Sequence, residues 1–350
     1  MLLSSESRPA TPRAADPLVA FAEIRALVLP VQRHYVNQLA PPVANIAGYH
    51  AGWLDEFGEN LADPAGKALR PVLAVLAARA VGAPETTAVR AAVVAEMIHD
   101  FSLLHDDVID GDRQRRHRPA AWVVFGTHAA ILAGDALLAA AVRLTAETDR
   151  SADRRAVRRL LATVRELVRG QTLDVTFENR ESVTPDEYSD MAQGKTAALL
   201  SCACSLGPLL AGAPDAVTGE LAAFGFQLGM AFQFADDLLG LWGDPAATGK
   251  PVLADVHRRK KSAPVLAALN SGGTDARRLA ELYERPGALS DDEATEAADL
   301  IERCGGKEWA EARAARHTAS ALTHLHRVEG EAEPLEELAA LVRHITHRDR

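Results

Sequence analysis

Three cysteines in 350 residues, Cys202, Cys204 and Cys304, are too few and too irregularly spaced for a disulfide framework or a zinc site. A reducing, cytoplasmic compartment is the expectation. Positive charge is also short: the net charge is −10, with no basic block resembling an arm for nucleic acid. The N-terminus lacks a continuous apolar run, which argues against a signal peptide. No stretch of 18 uninterrupted apolar residues occurs, so no membrane span is expected. Period-2 alternation closed by Asn-Gly-type turns is missing too, which excludes a sheet-based architecture.

What the chain has is helical periodicity, in Ala- and Leu-rich stretches with Arg and Glu on the opposite face. Residues 86–107, 128–147, 151–169, 190–211 and 216–240 each read as one long helix. The caps agree. Thr184-Pro185-Asp186-Glu187 supplies an N-cap, an N1 proline and an N3 glutamate. Ser290 and Glu293 repeat the capping box, and Gly305-Gly306 stops that helix. The expected fold is all-α. Residues 1–18, mixing Pro, Ser, Ala and Arg without period, read as a disordered tail. No internal linker divides residues 19–350, which are expected to form one domain.

Two carboxylate clusters break the apolar pattern. "FSLLHDDVIDGD" ends a greasy helix with Asp106, Asp107 and Asp110, and "FQFADDLLGLWGD" ends another with Asp236 and Asp237. Asp106 and Asp110 share a helix face and repel one another unless a cation sits between them. One such cluster could be a solvated helix end; a second, 130 residues later, weakens that reading. Hard divalent cations take oxygen ligands, and Mg²⁺ takes one or two carboxylates plus water and phosphate. Basic residues accompany both clusters: Lys67 and Arg70 in "GKALRP", Arg113, Arg115, Arg116 and Arg118 after the first, Lys250 and the run Arg258, Arg259, Lys260 and Lys261 after the second. Acids that hold metal, cations that hold an anion and an apolar pocket together imply a ligand with a diphosphate head and a hydrocarbon tail.

These motifs resemble those of the trans-isoprenyl diphosphate synthases, the polyprenyl synthetase family, from about Gly66 to about Pro264. "LLHDDVIDGDRQRRHRP" is similar to the family's first aspartate-rich motif with its arginine pair, and "GKALRP", "GQTLD", "GKT" and "FQFADDLLG" to its other motifs. The resemblance implies a helical bundle around a central apolar cavity, and head-to-tail condensation of isopentenyl diphosphate with an allylic diphosphate. It implies about three Mg²⁺ per site, held by Asp106 and Asp110 with Asp107 in support, and by Asp236 with Asp237. It assigns Arg115, Gln171, Lys195, Gln233 and Lys250 to the allylic diphosphate, and Lys67, Arg70, His99 and Arg116 to isopentenyl diphosphate. Lys260 joins the substrate-binding set, and the Thr196 carbonyl would face the developing carbocation. Family members are usually homodimers. Some relatives, which the motif spelling resembles, are actinobacterial, and some are carried into encapsulin shells by an N-terminal tail like residues 1–18.

Gly240 stands where the family usually has a third aspartate, and "DDLLGLWGD" also resembles the second metal motif of class I terpene cyclases. A cyclase would not need the second diphosphate site that Lys67, Arg70, His99 and Arg116 suggest. A non-catalytic regulatory subunit is disfavoured by the intact first motif. Phe101 lies about 7.5 Å below Asp106 at the rise of a helix, followed by the small Ser102. An aromatic there, with an uninserted first motif, resembles synthases of the C20 product, geranylgeranyl diphosphate, with farnesyl diphosphate second.

Overall fold

A computed structural model describes residues 17–61, 68–148, 150–178, 180–243, 252–285 and 287–346. The all-α expectation holds. The order is α1 (Pro17–Val36), α2 (Pro41–His50), α3 (Leu69–Ala80), α4 (Glu85–Ile109), β1 (Gln114–Arg115), β2 (Arg118–Pro119), α5 (Ala121–Phe125), α6 (Thr127–Thr145), α7 (Ser151–Glu178) and α8 (Pro185–Ala192). A π-helical segment (Gln193–Ala197) runs into α9 (Ala198–Ala211). Then come α10 (Asp215–Trp242), α11 (Ala254–His257), α12 (Ala263–Leu269), α13 (Gly273–Glu284), α14 (Asp291–Arg303), α15 (Gly306–Leu325) and α16 (Ala332–Thr346). Helix α1 starts at Pro17, two residues inside the expected tail; residues 1–16 lie outside the described residues.

Both capping boxes form, Thr184 with Glu187 and Ser290 with Glu293. Gly305 takes φ 74°, a left-handed conformation that ends the run of α14 and begins α15 at Gly306. Small residues set the helix spacing. The alanines of α3 and α4 are fully buried, and a Cβ on Gly207 would come within 2.6 Å of the Ala78 Cβ, so α9 and α3 touch along their backbones. The main core joins α1, α3, α4, α6, α9 and the first half of α10 through residues such as Leu73, Ile98, Leu137, Leu200 and Leu228. Two smaller clusters, one around Phe234 and one around Leu241 and Ile301, take the rest of α10. That one helix therefore contributes to all three clusters.

Two sequence expectations change. Residues 114–119 form a two-stranded hairpin whose turn, Arg116-His117, has φ 52° and 62°. Two positive φ values in a two-residue loop are the geometry of a type I′ turn, usually built with Asn and Gly. The exclusion of membrane-spanning segments also fails on length and composition, because Thr127–Thr145 and Pro185–Ala211 both qualify. Their polar residues are scattered rather than clustered, so no uninterrupted run reveals them. The second of these windows is 83% buried in the fold, as core helices are.

Candidate active site

Helix α4 delivers its carboxylates to the wrong end of its own dipole. A helix C-terminus carries partial negative charge and favours cations, yet Asp106 lies in the last turn and Asp110 is the C-cap, its N–H donating to the Asp106 carbonyl over 2.8 Å. Burial pushes the Asp106 carboxyl up to about 6; Asp110 and Asp174 push the same way, and Lys195 and Arg115 oppose them. Asp110 is also raised, by desolvation first and by Asp174 and Asp112, although Gln171 Nε2 donates to its Oδ1 at 3.1 Å. Asp107 points elsewhere. It is buried at 1% exposure and accepts from Arg115 Nε at 2.7 Å. Arg115, expected to grip a diphosphate, therefore holds the hairpin to α4 by this ion pair.

The second cluster repeats the division. Asp236 is half-buried beside the site, whereas Asp237 is 1% exposed. Asp237 was expected as a metal ligand; the fold turns it inward. It accepts from the Tyr188 hydroxyl, from the Ala263 N–H at 2.8 Å and from Gln233 Nε2 at 3.2 Å, which ties α8 and α12 to α10. The glycine in place of a third aspartate also has a physical reason. A Cβ on Gly240 would overlap the Asp255 carboxylate of α11. Asp255 fills that space and lies 3.7 Å from Lys260 Nζ. Burial alone would lower the Lys260 ammonium, but Asp237, Asp255 and Asp236 hold it raised.

Helix α7 and the π segment connect the two clusters. A Cβ on Gly170 would overlap the Lys195 backbone nitrogen, and one on Gly194 would lie 2.6 Å from the Glu166 carbonyl, so two glycines allow backbone contact there. Within the π turn the Ala198 N–H reaches back to the Gln193 carbonyl, the wide hydrogen-bond spacing often found at functional sites. The turn sets Lys195 on Asp174 and lets the Thr196 hydroxyl donate to Gln233 Oε1 at 2.6 Å. Asp174 acts electrostatically on Asp106 and Asp110 on one side and on Lys260 on the other. One carboxylate of α7 thus acts on the first acidic end directly and shares Lys260 with the second, 130 residues away in sequence.

A third group lies behind the hairpin. Arg70, in the first turn of α3, and Arg116 act on both His99 and Glu96. Burial, then Arg70 and Arg116, hold His99 well below the usual histidine range, so its ring is neutral. His50 of α2 is held down to about 3 by burial and by Arg116 and Arg115. Arg118 lies 4.2 Å over the Tyr49 ring and donates to the Leu54 carbonyl at 2.9 Å, a packing role. Of the non-glycine residues with positive φ, Ala68, Arg116, His117, Leu253 and Arg259, four are or adjoin basic residues of these motifs, Leu253 being the exception; backbone strain of this kind concentrates at functional sites. Lys67, Lys250 and Asp244, the last aspartate of "DDLLGLWGD" and a ligand on the cyclase reading, lie outside the described residues.

Sequence reasoning passed over Asp174, Glu96, Asp100, Tyr188 and Asp255. Asp174 closes the "GQTLD" motif, a signal that was present; Glu96 and Asp100 sit in an apolar run, Asp255 just before a basic one and Tyr188 in an acidic helix start, with nothing local to mark them. Among the described residues no three His, Cys, Asp or Glu side chains converge to hold a metal alone. The donor set still suits Mg²⁺, which completes its shell with water and phosphate. The raised Asp106, half-buried near Asp110 and Asp174, is a carboxylate that a cation would relieve.

Comparison with known proteins agrees with this geometry. Residues 51–301 match the family described as Polyprenyl synthetase, a wider span than the motifs alone suggested. The chain is 43% identical over 325 residues to a (2E,6E)-farnesyl diphosphate synthase of Mycobacterium bovis, covering 92% of this chain and 90% of that one. It is 44% identical over 297 residues to a geranylgeranyl diphosphate synthase of Mycobacterium tuberculosis, covering 85% of each. Its fold superposes on the crystal structure of a polyprenyl synthetase from Streptomyces coelicolor with TM-score 0.90 and 42% identity, over 94% of this chain and 99% of that one. With the family matched over most of its length and its paired acidic helix ends brought together, the chain belongs to the polyprenyl synthetase family and is a prenyltransferase.

Proposed function

We propose that the chain condenses isopentenyl diphosphate with an allylic diphosphate, releases pyrophosphate, and makes geranylgeranyl diphosphate as its main product. What carries this reading is that Lys195 and Asp174 act on Asp106 and Asp110, while Lys260 is held by Asp236 as well as by Asp174. Asp106, Asp110 and Asp236 would hold Mg²⁺, about three ions by family resemblance, and the ions would neutralise charge on the departing pyrophosphate. Lys195, with Gln171, lies where it can bind the allylic diphosphate, and Arg115 can shift from Asp107 to a phosphate oxygen. Arg70, Arg116 and the neutral His99 would take the diphosphate of isopentenyl diphosphate. As the allylic C–O bond breaks, the Thr196 carbonyl, in the π turn that disrupts regular pairing, would face the positive charge. The new C–C bond forms on isopentenyl diphosphate, and the proton lost from it goes to pyrophosphate.

Phe101 supports the C20 assignment. It is buried on α4 below Asp106, with its ring edge-on to His105 at 4.9 Å. The Ser102 hydroxyl folds back on the His99 carbonyl at 2.8 Å and leaves the aromatic ring as the bulk at this level. The chain would act as a homodimer through α6 and α7, where Leu132, Leu161 and Val168 stand exposed.

The test is pyrophosphate release with and without isopentenyl diphosphate, and chromatography of products from each short allylic primer. Release that needs both substrates, with a C20 product that lengthens in Phe101→Ala, is expected. Release from a prenyl diphosphate alone would make the chain a cyclase, and no release a regulatory subunit. A C15 product would overturn the chain length only.

A further inference from the structure

Beneath the hairpin lies a buried acid pair that the condensation has no step for. Glu96 and Asp100 are one turn apart on α4 and share a face. Asp100 is 3% exposed and Gln32 of α1 is 5% exposed; Gln32 Nε2 donates to Asp100 Oδ2 at 3.1 Å. The other oxygen, Oδ1, is buried without a hydrogen-bond partner, as is Arg70 Nε. Gln32, Glu96, Asp100 and Arg116 line a cavity of about 40 Å³ that Trp53 and Pro71 help close. That volume admits a bridging water, which needs two to four polar partners.

The chemistry of arginine says what such acids are for. A guanidinium does not lose its proton in a protein, and its five N–H donors lie in a rigid fork. A diphosphate bound on one edge accepts some of them. Donors left on the buried edge carry a desolvation penalty unless something accepts them too. Glu96 and Asp100 are the carboxylates that line the cavity beside Arg116; Arg25 of α1 lines it too, and the Ala51 carbonyl accepts from Arg116 at 3.3 Å. Burial raises both acids, and the neighbouring Glu96 raises Asp100 further, to about 8; Arg70 and Arg116 oppose this and draw both back toward ionisation.

We infer that Asp100, anchored by Gln32 and acting with Glu96, is a positioning residue for Arg70 and Arg116, so that α1 helps to build the isopentenyl diphosphate site. This rests on the assignment of those two arginines under the proposed function. The first helix then does more than cover the core. Its last turns set how firmly the two guanidiniums are held before substrate arrives, whereas the allylic side is built from the end of α4, Arg115 of the hairpin, α7, α10 and the π segment.

Steady-state kinetics of Asp100→Ala, Asp100→Asn and Gln32→Ala test this, with each substrate varied separately and thermal melts alongside. The KM for isopentenyl diphosphate should rise about tenfold in Asp100→Ala and about threefold in Gln32→Ala, with the allylic KM within about twofold of wild type. Asp100→Asn, which keeps an acceptor oxygen, should recover part of the loss. Parallel changes in both KM values, a fall in kcat alone, or an unchanged isopentenyl KM in a folded variant overturns the inference. If Asp100→Ala does not fold, Gln32→Ala decides by the same criteria. A wild type that does not use isopentenyl diphosphate removes the functional assignment itself; an active wild type with indifferent variants removes only this inference.

Discussion

The ends of α4 and α10 invite comparison, because each presents an Asp-Asp pair after an apolar helix. In both, adjacency in sequence means separation in space, since neighbours on a helix point about 100° apart. The first aspartate of each pair, Asp106 or Asp236, faces the site; the second, Asp107 or Asp237, is 1% exposed and holds neighbouring segments to its helix. The ends differ one turn later. On α4 the next position on the same face is Asp110, at the mouth. On α10 it is Gly240, because Asp255 has come from another helix to occupy the space. A carboxylate missing from the motif is thus replaced in space by one from outside it.

Removing the outward acids tests the comparison most severely. Asp106→Asn should lower kcat/KM by on the order of 10³, in line with losing a main electrostatic contact to the leaving group, and Asp236→Asn by about 10-fold to 100-fold less than that. Equal effects in a pyrophosphate-release assay would mean the two ends are equivalent. The inward acids should act on stability instead. Asp237→Ala strands the Tyr188 hydroxyl and the Ala263 N–H, and should destabilise by about 3 kcal/mol. Thermal or denaturant unfolding reads this, and a fully stable variant would show the network to be incidental.

Restoring the missing aspartate should harm rather than help. Gly240→Asp would drive a side chain into Asp255 and set two carboxylates together, a loss of about 2 kcal/mol. A variant as stable as wild type, with higher Mg²⁺ affinity, would contradict the packing account. The effect that is smallest at neutral pH concerns the third group of the site. His50 titrates in the folded protein at about 3, below its ordinary 6.5. A lowered pKa means its contribution to stability is full above 6.5 and is lost as pH falls toward 3, because only the unfolded chain takes the proton. The slope is about 1.4 kcal/mol per pH unit for one proton. His50→Gln should flatten that part of the stability curve, measured as denaturation midpoint against pH; an unchanged slope would assign the acid limb to other groups.

Much of this was legible in the linear chain, for identifiable reasons. Helix periodicity, two capping boxes and the two aspartate clusters are local signals, carried by residues within a turn or two of one another. The hairpin at 114–119 was not legible, because Arg-His is an unusual pair for a turn with two positive φ values and only its place beside α4 sustains it. The extension of α7 to Glu178, past the expected end at 169, follows its contact with the π segment and not its own propensity.

Which residues can carry charge at the end of a helix, and how far apart they stand along it, is settled by covalent order and the 3.6-residue turn. Which member of each aspartate pair faces the site is not. That depends on Arg115, Tyr188 and Ala263 arriving from elsewhere to hold one carboxylate inside, and on Asp255 filling the space above Gly240. Burying a charged group is favourable only where partners already wait for it, and those partners come from distant segments that meet only once the helices have packed.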